Sequence, residues 1–182
     1  MSSGRLIAVV GASGVGKDSV MLGIAKAAPD LIRVRRTITR SADPDGEDHN
    51  SVTPEAFDAA VRRGAFCIHW AAHELRYGIP ISTVGEVLNG KQCLVNFSRG
   101  ALFLAEKSFP SVIVLNITAN PTTLARRLSQ RGRENEHEII ARLERKPSAI
   151  PKGLLVLNIS NDGALNETIS NVLKVLKPTL VI

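Results

Sequence analysis

The 182-residue chain has few of the features that mark membrane, secreted or nucleic-acid-binding proteins. Its apolar runs, such as residues 6–10 and 112–115, are far shorter than the roughly 18 residues of a membrane-spanning helix. No apolar region of a signal peptide is present, which favours a cytoplasmic location. Aromatic residues make up only 4% of the chain and do not alternate with basic residues. We therefore expect neither a membrane nor a nucleic acid as partner.

Cysteine is also scarce, and the two thiols, Cys67 and Cys93, each lie inside a short apolar run. This placement favours reduced core thiols over a disulfide framework. Hydrophobic residues make up 44% of the chain and charged residues 22%, which is ordinary globular usage. At roughly 150 residues per domain, the length predicts a single domain over residues 1–182. The oligomeric state stays open, with a homodimer as one option.

The positive charge is carried mainly by arginine. The chain has 15 Arg and 8 Lys against 17 acidic residues, which gives a net charge of +6. Because the planar guanidinium binds phosphate oxygens two at a time, this composition favours partners that carry phosphate groups.

Short β-branched apolar segments alternate with segments of helical periodicity, which is typical of an α/β fold with a parallel sheet covered by helices. Residues 66–77 differ, because strand-like pieces flank a polar break, and we predict a small hairpin there. Thr53-Pro54-Glu55 and Asn120-Pro121 predict helix starts, and Asn89-Gly90 predicts a helix end. The core strands are predicted at residues 6–10, 31–35, 92–97, 112–117 and 154–159.

The strongest motif is the glycine-rich segment from Gly11 to Lys17, which follows the first predicted strand and precedes a helical segment. Glycines leave the backbone N–H groups free to surround a phosphate, and the helix N-terminus adds a favourable dipole. Lys17 is then placed to reach the terminal phosphates. The alternative is a glycine-rich turn that contains a lysine by coincidence. The segment predicted to bind ATP consists of Gly11, Ala12, Ser13, Gly14, Val15, Gly16, Lys17, Asp18 and Ser19.

Asp18 departs from the usual motif, in which a Ser or Thr hydroxyl follows the lysine and binds Mg²⁺. Its carboxylate is either a Mg²⁺ ligand, directly or through water, or an acidic residue that is favourable in the first turn of a helix. The end of the third core strand, residues 94–98, contains no carboxylate. Our hypothesis is that Asp18 supplies the negative charge that this strand end lacks.

A second basic cluster, formed by Arg33, Arg35, Arg36 and Arg40, surrounds a strand end and the long polar loop 37–50. A loop of this length and polarity within a compact domain is usually functional, and its guanidiniums suit a second phosphorylated ligand. The alternative is a solvated basic face.

The predicted hairpin adds one candidate contact to this ligand. Tyr77 either donates its hydroxyl to a phosphate or stabilises the hairpin itself. His69 and His73 show no metal-ligand spacing, so we expect ordinary hairpin residues, with His73 a weaker candidate for a ligand contact.

A third basic cluster occupies two segments of helical periodicity that meet at Gly132. Phosphoryl transfer concentrates negative charge on the migrating group, and arginines that close over it stabilise that charge and exclude water. We therefore predict an arginine-rich helical lid over residues 126–145. The alternative is an exposed pair of helices crossed by salt bridges. The arginines that fit the role of closing over the phosphates are Arg127, Arg131, Arg133 and Arg142.

Several short motifs occur in a characteristic order along the chain. They are Gly16-Lys17-Asp18-Ser19, Ile38-Thr39-Arg40, Gly46-Glu47-Asp48-His49, Trp70-Ala71-Ala72-His73, Val95-Asn96-Phe97-Ser98-Arg99, Arg131-Gly132-Arg133-Glu134-Asn135 and Asn161-Asp162-Gly163. Together they resemble the guanylate-kinase-like P-loop kinases over almost the whole chain. Within that fold, their order and spacing are most similar to the ribose 1,5-bisphosphate phosphokinase family.

The resemblance implies transfer of the γ-phosphoryl group of ATP, with Mg²⁺, to the 1-phosphate of ribose 1,5-bisphosphate. The products would be 5-phosphoribosyl 1-diphosphate (PRPP) and ADP, in phosphonate breakdown. It implies an acceptor-binding region at about residues 36–80. It assigns the transition-state charge to Lys17, Arg131 and Arg142, the nucleotide to Arg127, Asn161 and Asp162, and the acceptor to Arg36, Thr39, Arg40, Glu47, His49 and Tyr77.

Departures from guanylate kinase concern base recognition. That enzyme has acidic residues near the end of the third core strand that help to read guanine, whereas this chain has Asn96 and Ser98 there. Asp43 stands where a further arginine is expected. Arg99 follows Ser98, and our hypothesis is that it binds the second phosphate of a sugar bisphosphate. Asn96, Ser98 and Arg99 therefore join the predicted acceptor contacts.

Other assignments stay open at this stage. A guanylate kinase or another nucleoside monophosphate kinase would use GMP or a related nucleotide as acceptor. A non-catalytic guanylate-kinase-like binding module is a further option, although Gly16-Lys17 and the arginine-rich segment argue against it. For Asn161-Asp162-Gly163, a plain turn explains the residues as well as a position beside adenine does.

Overall fold

The computed structural model describes residues 4–41, 47–130 and 147–176. Within these ranges the chain forms strands and helices in alternation. The strands are β1 (Arg5–Gly11), β2 (Leu31–Arg33), β3 (Thr37–Ile38), β4 (Asn50–Ser51), β5 (Phe66–Ala72), β6 (Leu75–Pro80), β7 (Gln92–Asn96), β8 (Val112–Thr118) and β9 (Leu155–Ser160). The helices are α1 (Lys17–Ala27), α2 (Pro54–Arg62), α3 (Ser82–Leu88), α4 (Leu102–Ser108), α5 (Pro121–Gln130) and α6 (Leu165–Leu176).

Five strands form the central sheet in the order β2-β7-β1-β8-β9, and all four strand pairs are parallel. This confirms the predicted fold class and all five predicted core strands. β2 ends at Arg33 and β7 at Asn96, slightly earlier than predicted. Because β1 lies in the middle, the segment that follows it emerges at the centre of the carboxyl edge of the sheet.

The core lies on both faces of this sheet. In β1, Leu6, Ala8 and Val10 pack into one apolar cluster, whereas Ile7 and Val9 pack into another on the opposite face. A strand buried on both faces needs a continuous apolar run rather than an alternating one. Burying each such side chain contributes about 1.5–3 kcal/mol, so the strand is a firm base for the loop that follows it.

The helix ends lie where the sequence signals predicted them. The Thr53 side chain accepts a hydrogen bond from the Ala56 N–H at 3.2 Å, and α2 begins at Pro54. Gly90, with φ of 83°, follows the end of α3. α5 begins at Pro121 as predicted, but the Asn120 N–H donates to the Asp162 carboxylate at 2.7 Å.

The hairpin is part of a second sheet that the sequence pattern did not reveal. β5 and β6 pair antiparallel, and the sheet continues through β3 and β4 in the order β4-β3-β6-β5. The segment predicted as a loop at 37–50 therefore begins with β3 and ends in β4, two strands of two residues each. Such short strands carry no periodic pattern, and pairing with neighbouring segments forms them.

Two further expectations concern thiols and membranes. Cys67 and Cys93 are free cysteines, and burial raises the pKa of each thiol to about 11. Both are therefore neutral thiols at physiological pH. Among the helices of the described ranges, none combines the length and apolar character needed to cross a bilayer.

Candidate functional site

The glycine-rich loop joins the end of β1 to the start of α1. Gly14 and Gly16 have φ values of 80° and 91°, in the left-handed region that favours glycine. A Cβ at Gly11 would lie 2.5 Å from the Ile117 carbonyl oxygen, so only glycine fits there. Val15 is buried in the core and fastens the middle of the loop. The loop therefore needs glycine at these positions, and its role in phosphate binding stays a prediction.

Lys17 folds back onto this loop. Its Nζ donates to the carbonyl oxygens of Gly11 at 2.9 Å and Ala12 at 3.2 Å. Burial lowers the Lys17 pKa to about 8, while the negative charge of Asp18 opposes that shift. Arg36, Glu47 and Arg99 also affect this pKa, so these residues lie close to the loop in space.

Asn96, at the carboxyl end of β7, lies between two carboxylates. Its Nδ2 donates to Glu47 Oε2 at 3.1 Å and, over a longer 3.4 Å, to Asp18 Oδ1. Asp18 therefore brings a carboxylate to the strand end that lacks one, as its sequence position predicted. The contact also connects the glycine-rich loop to the loop that contains Glu47.

Arg36 and Glu47 form a buried pair at the centre of the second basic cluster. Arg36 is only 5% exposed, and its Nε donates to Glu47 Oε1 at 2.8 Å while Nη2 contacts Oε2. The guanidinium also lies 4.8 Å from the ring centre of Tyr77 and 5.7 Å from that of Trp70. Arg36 was predicted to contact the acceptor. In the structure its positive charge is paired with the Glu47 carboxylate.

An aromatic stack supports this pair. The Trp70 ring lies 5.3 Å from both Tyr77 and Phe97 in nearly parallel orientation. Trp70 Nε1 donates to Ser98 Oγ at 3.0 Å, which orients that hydroxyl. Burial raises the pKa of Tyr77, so its phenol stays protonated and able to donate a hydrogen bond.

His49 and Thr39 organise the backbone around Arg40. The buried His49 ring contacts the Glu47 carbonyl through Nδ1 at 2.7 Å and the Arg40 carbonyl through Nε2 at 3.1 Å. Thr39 Oγ1 accepts from the Arg76 N–H at 2.9 Å. Both side chains, predicted as acceptor contacts, thus have partners within the protein. Arg40 Nε is buried and has no hydrogen-bond partner among the described residues.

Arg99 stands at the end of a row of polar side chains that includes Asn116 of β8 and Asn158 of β9. Its Nη2 donates to Asn116 Oδ1 at 2.9 Å, and Asn116 Nδ2 donates to Asn158 Oδ1 at 2.7 Å. The Arg99 Nε is buried and unpaired within the described part of the chain, and burial lowers the pKa of this residue. Asn116 was missed, although a polar residue within the apolar β8 was a usable signal.

Asn161, Asp162 and Arg127 lie on the other side of the loop. Asn161 Nδ2 donates to the Val15 carbonyl at 2.8 Å, and Arg127 Nη1 donates to the same oxygen at 3.2 Å. Hydrogen bonds from Asn120 N–H and Ser160 lower the pKa of the Asp162 carboxyl. A cavity of about 350 Å³ lies here, lined by Gly14, Gly16, Ser19, Arg127, Gln130, Asn161, Gly163 and Leu165.

Some predicted residues fall outside the described ranges. They include Gly46 and Asp43 of the acceptor loop and most of the predicted lid, residues 131–145, with the proposed catalytic residues Arg131 and Arg142. Arg127, at the start of that segment, is described and lies against the glycine-rich loop.

Comparison with known proteins agrees with this geometry. The profile of the guanylate kinase family matches residues 3–178. The chain belongs to the guanylate kinase family. It is 46% identical to ribose 1,5-bisphosphate phosphokinase PhnN of Ruegeria sp., with 92% of this chain and 89% of that protein covered. It is 42% identical to the protein of the same name from Pantoea vagans, with 95% and 97% covered.

Solved structures show the same fold at low sequence identity. Guanylate kinase from Anaplasma phagocytophilum matches with a TM-score of 0.72 at 16% identity, covering 100% of this chain and 89% of that one. A gluconokinase from Sinorhizobium meliloti matches with a TM-score of 0.57 at 18% identity, covering 98% and 94%. The membership in the guanylate kinase family predicted from the motifs is confirmed.

Proposed function

We propose that this guanylate kinase family member transfers the γ-phosphoryl group of ATP to the 1-phosphate of ribose 1,5-bisphosphate, giving PRPP and ADP. Proteins named for this activity are 46% and 42% identical to the chain over nearly its whole length. The observation that carries the proposal concerns Arg40 and Arg99, whose buried Nε donors have no hydrogen-bond partner among the described residues. Arg5 Nε shares this property, but Arg5 lies at the start of β1, at the other edge of the sheet. Two such donors on separate elements suit an acceptor with two phosphate groups.

The physical reason lies in the cost of an unpaired donor. A buried N–H without a partner costs about 1–3 kcal/mol, and a phosphate oxygen removes that cost. Arginine is well suited to the task, because its fork binds a phosphate through two parallel hydrogen bonds. Arg36 is different, because Glu47 already neutralises it. We assign direct phosphate contacts to Arg40 and Arg99, and a supporting role to Arg36.

The other side chains of the proposed acceptor site are oriented largely by contacts within the protein. Asn96 uses its amide donor on Glu47 and Asp18, and Ser98 accepts from Trp70. Tyr77 keeps a protonated phenol that is suited to bind a phosphate oxygen. His49 and Thr39 hold the surrounding backbone. The acceptor region thus combines Arg36, Thr39, Arg40, Glu47, His49, Tyr77, Asn96, Ser98 and Arg99.

ATP binds on the opposite side of Lys17, along the loop from Gly11 to Ser19. The backbone N–H groups bind the phosphates, and Lys17 moves from the carbonyls of Gly11 and Ala12 to the terminal phosphates. The neighbouring cavity accommodates the rest of the nucleotide. Arg127, Asn161 and Asp162 border this side of the site.

Mg²⁺ fits the donor set beside the loop. The ion prefers hard oxygen ligands and usually combines one or two carboxylates with substrate phosphates and water. Asp18 places one carboxylate at the start of α1, and Glu47 reaches the same Asn96 amide. Asp18 would hold the ion, which would neutralise charge on the phosphates when bound. Across the described residues, no group of three metal-binding side chains is present.

Catalysis requires positioning and charge neutralisation. The acceptor phosphate has a second pKa of about 6, so it is anionic at neutral pH and needs no strong general base. One of its oxygens attacks the γ-phosphorus while the bond to the bridging β,γ-oxygen breaks, and ADP leaves. Lys17 stabilises the transferring group, and we assign the same role to Arg131 and Arg142 of the predicted lid.

The proposal extends to the organisation of the chain. We propose a single kinase domain over residues 1–182, with the acceptor-binding region at about 36–80 and the lid at about 126–145. We also propose that it acts in the cytoplasm, within phosphonate breakdown.

Phosphorus NMR of the purified protein tests the reaction. With Mg-ATP and ribose 1,5-bisphosphate, we expect a new diphosphate on ribose C1 together with ADP. With Mg-ATP and GMP, we expect little product. Formation of GDP in preference to PRPP would indicate a divergent guanylate kinase, and reaction with neither acceptor would favour a non-catalytic binding module.

A further inference from the structure

Two side chains from distant parts of the chain converge on one carbonyl of the glycine-rich loop. The Val15 oxygen accepts from Asn161 Nδ2 at 2.8 Å and from Arg127 Nη1 at 3.2 Å. Asn161 follows β9, and Arg127 belongs to α5. We propose that these are positioning residues that set the direction of the peptide between Val15 and Gly16, and that Asn161 therefore acts on phosphate binding rather than on base recognition.

Peptide geometry explains how a contact to a carbonyl orients a donor. The peptide unit is planar and trans, so the Val15 C=O and the Gly16 N–H point in opposite directions. Holding the oxygen toward Asn161 turns the Gly16 N–H away from Asn161, and the proposal requires that the phosphates bind on that side of the loop. If the carbonyl is released, the donor rotates with it. The contact thus preorganises a phosphate-binding group before the nucleotide arrives.

The Asn161 amide is itself fixed in one orientation. The residue is 4% exposed, and its Oδ1 accepts from Thr168 Oγ1 at 2.8 Å. Its main-chain N–H donates to the Thr118 carbonyl at 2.7 Å, and its main-chain carbonyl accepts from Arg127 Nη2 at 2.7 Å. The glycine-rich loop, β8, α5 and α6 therefore all contact this residue. Because the Oδ1 and Nδ2 atoms both have protein partners, the amide is better placed to organise the loop than to bind adenine.

Close packing supports the same conclusion. A Cβ added to Gly16 would lie 2.8 Å from Asn161 Nδ2, and Gly16 has a φ of 91°. Only glycine meets both conditions. The loop and the amide are thus in direct contact at the position whose N–H the contact orients.

The decisive experiment compares two ligands that share phosphates but not a base. Calorimetry measures the Kd of ATP and of inorganic tripolyphosphate for the wild-type protein and for Asn161→Asp. The substitution keeps the side-chain shape but replaces the donor with an oxygen that repels the Val15 carbonyl. We expect both Kd values to rise by about 10-fold or more, and by the same factor. In NMR spectra, the Gly16 amide resonance shifts while resonances of β1 and β8 stay in place.

Substitution of Thr168 tests the same proposal without changing Asn161 itself. Thr168→Val removes the hydroxyl that orients the Asn161 amide, and Thr168→Ser keeps it. We expect Thr168→Val to raise the Kd of both ligands by the same factor. Thr168→Ser should bind both ligands with the wild-type Kd values. If Asn161→Asp does not fold, this pair carries the test. Asn171→Asp, exposed on the same helix, is the control for added charge and should change neither Kd.

The inference rests on the proposed function only in that the loop binds a nucleoside triphosphate, and its test needs no acceptor. Weaker ATP binding with unchanged tripolyphosphate binding would overturn it in favour of a base contact. Unchanged binding of both ligands by Asn161→Asp and Thr168→Val would also overturn it. A wild-type protein that binds neither ligand would contradict the proposed function together with this inference.

Discussion

The proposed nucleotide side and the proposed acceptor side of this molecule are built in different ways. On the nucleotide side, the backbone of consecutive residues forms the binding loop, anchored by the fully buried strand β1. On the acceptor side, charged side chains from separate segments form the site by bonding to one another, as Arg36 and Glu47 do. The first kind of site depends on local sequence, and the second depends on tertiary structure. Lys17 lies between the two and responds to charges from both.

The largest effect should follow loss of Lys17. Lys17→Ala removes the cation that stabilises the transferring group, and we expect kcat to fall by about 10³-fold. Steady-state kinetics with saturating ATP and acceptor measure this. Lys26→Ala, exposed on the same helix, is the control and should keep wild-type kinetics. Wild-type kcat in Lys17→Ala would show that the loop is not the phosphoryl-transfer site.

Two adjacent carboxylates test how the acceptor side is held together. The Glu47 side chain is 13% exposed and pairs with the buried Arg36, whereas the Asp48 side chain is 47% exposed and pairs with Arg33 and Arg35. Glu47→Gln leaves the buried Arg36 charge uncompensated, so we expect the free energy of unfolding to fall by about 3 kcal/mol. Asp48→Asn should lower it by less than about 1 kcal/mol. Urea unfolding of both variants measures the free energy of unfolding that each one loses. Equal losses would contradict a stabilising role for the buried Arg36–Glu47 pair.

Arg99 tests the assignment of the acceptor phosphates. Arg99→Ala removes one charged donor, and we expect the KM for ribose 1,5-bisphosphate to rise about 10- to 100-fold. The KM for ATP should stay within about twofold, because the nucleotide loop is not changed. Arg63→Ala, exposed at the end of α2, is the control. An unchanged acceptor KM in Arg99→Ala would remove the support for this contact.

The smallest effect is a pH dependence on the nucleotide side. The Lys17 pKa is lowered to about 8, so free protein loses this positive charge as pH rises through that value. ATP phosphates need the ammonium form, so kcat/KM for ATP should fall about tenfold per pH unit above pH 8. The KM for the acceptor should show a weaker change. A kcat/KM for ATP that stays constant up to pH 10 would contradict the lowered pKa of Lys17.

The difference between the two sides also explains what the sequence could predict. Gly11 to Lys17 were identifiable because their function comes from consecutive residues between a strand and a helix. The position of Asp18 beside the end of β7 followed from the parallel sheet, since strands that run parallel end at the same edge. The five core strands could be predicted for a related reason. A strand that is buried on both faces of the sheet needs a continuous apolar run, which can be recognised in the sequence.

The acceptor side could be predicted only as a set of residue types. Arg36 and Glu47 are separated by a polar loop, and nothing in their spacing shows that they bond to each other rather than to a ligand. β3 and β4 are too short to show a period. Asn161 illustrates the same limit on the nucleotide side. The motif placed it near the nucleotide, but its bond to the Val15 carbonyl depends on how β9 and the loop meet in space.

The acceptor proposed for this protein is a sugar bisphosphate held by arginines. The most direct test is the ratio of kcat/KM for ribose 1,5-bisphosphate to that for GMP, measured with the same preparation and saturating Mg-ATP. Polar groups left unpaired by the wrong acceptor should make this ratio about 10⁴ or more. A ratio near or below one would contradict the claim.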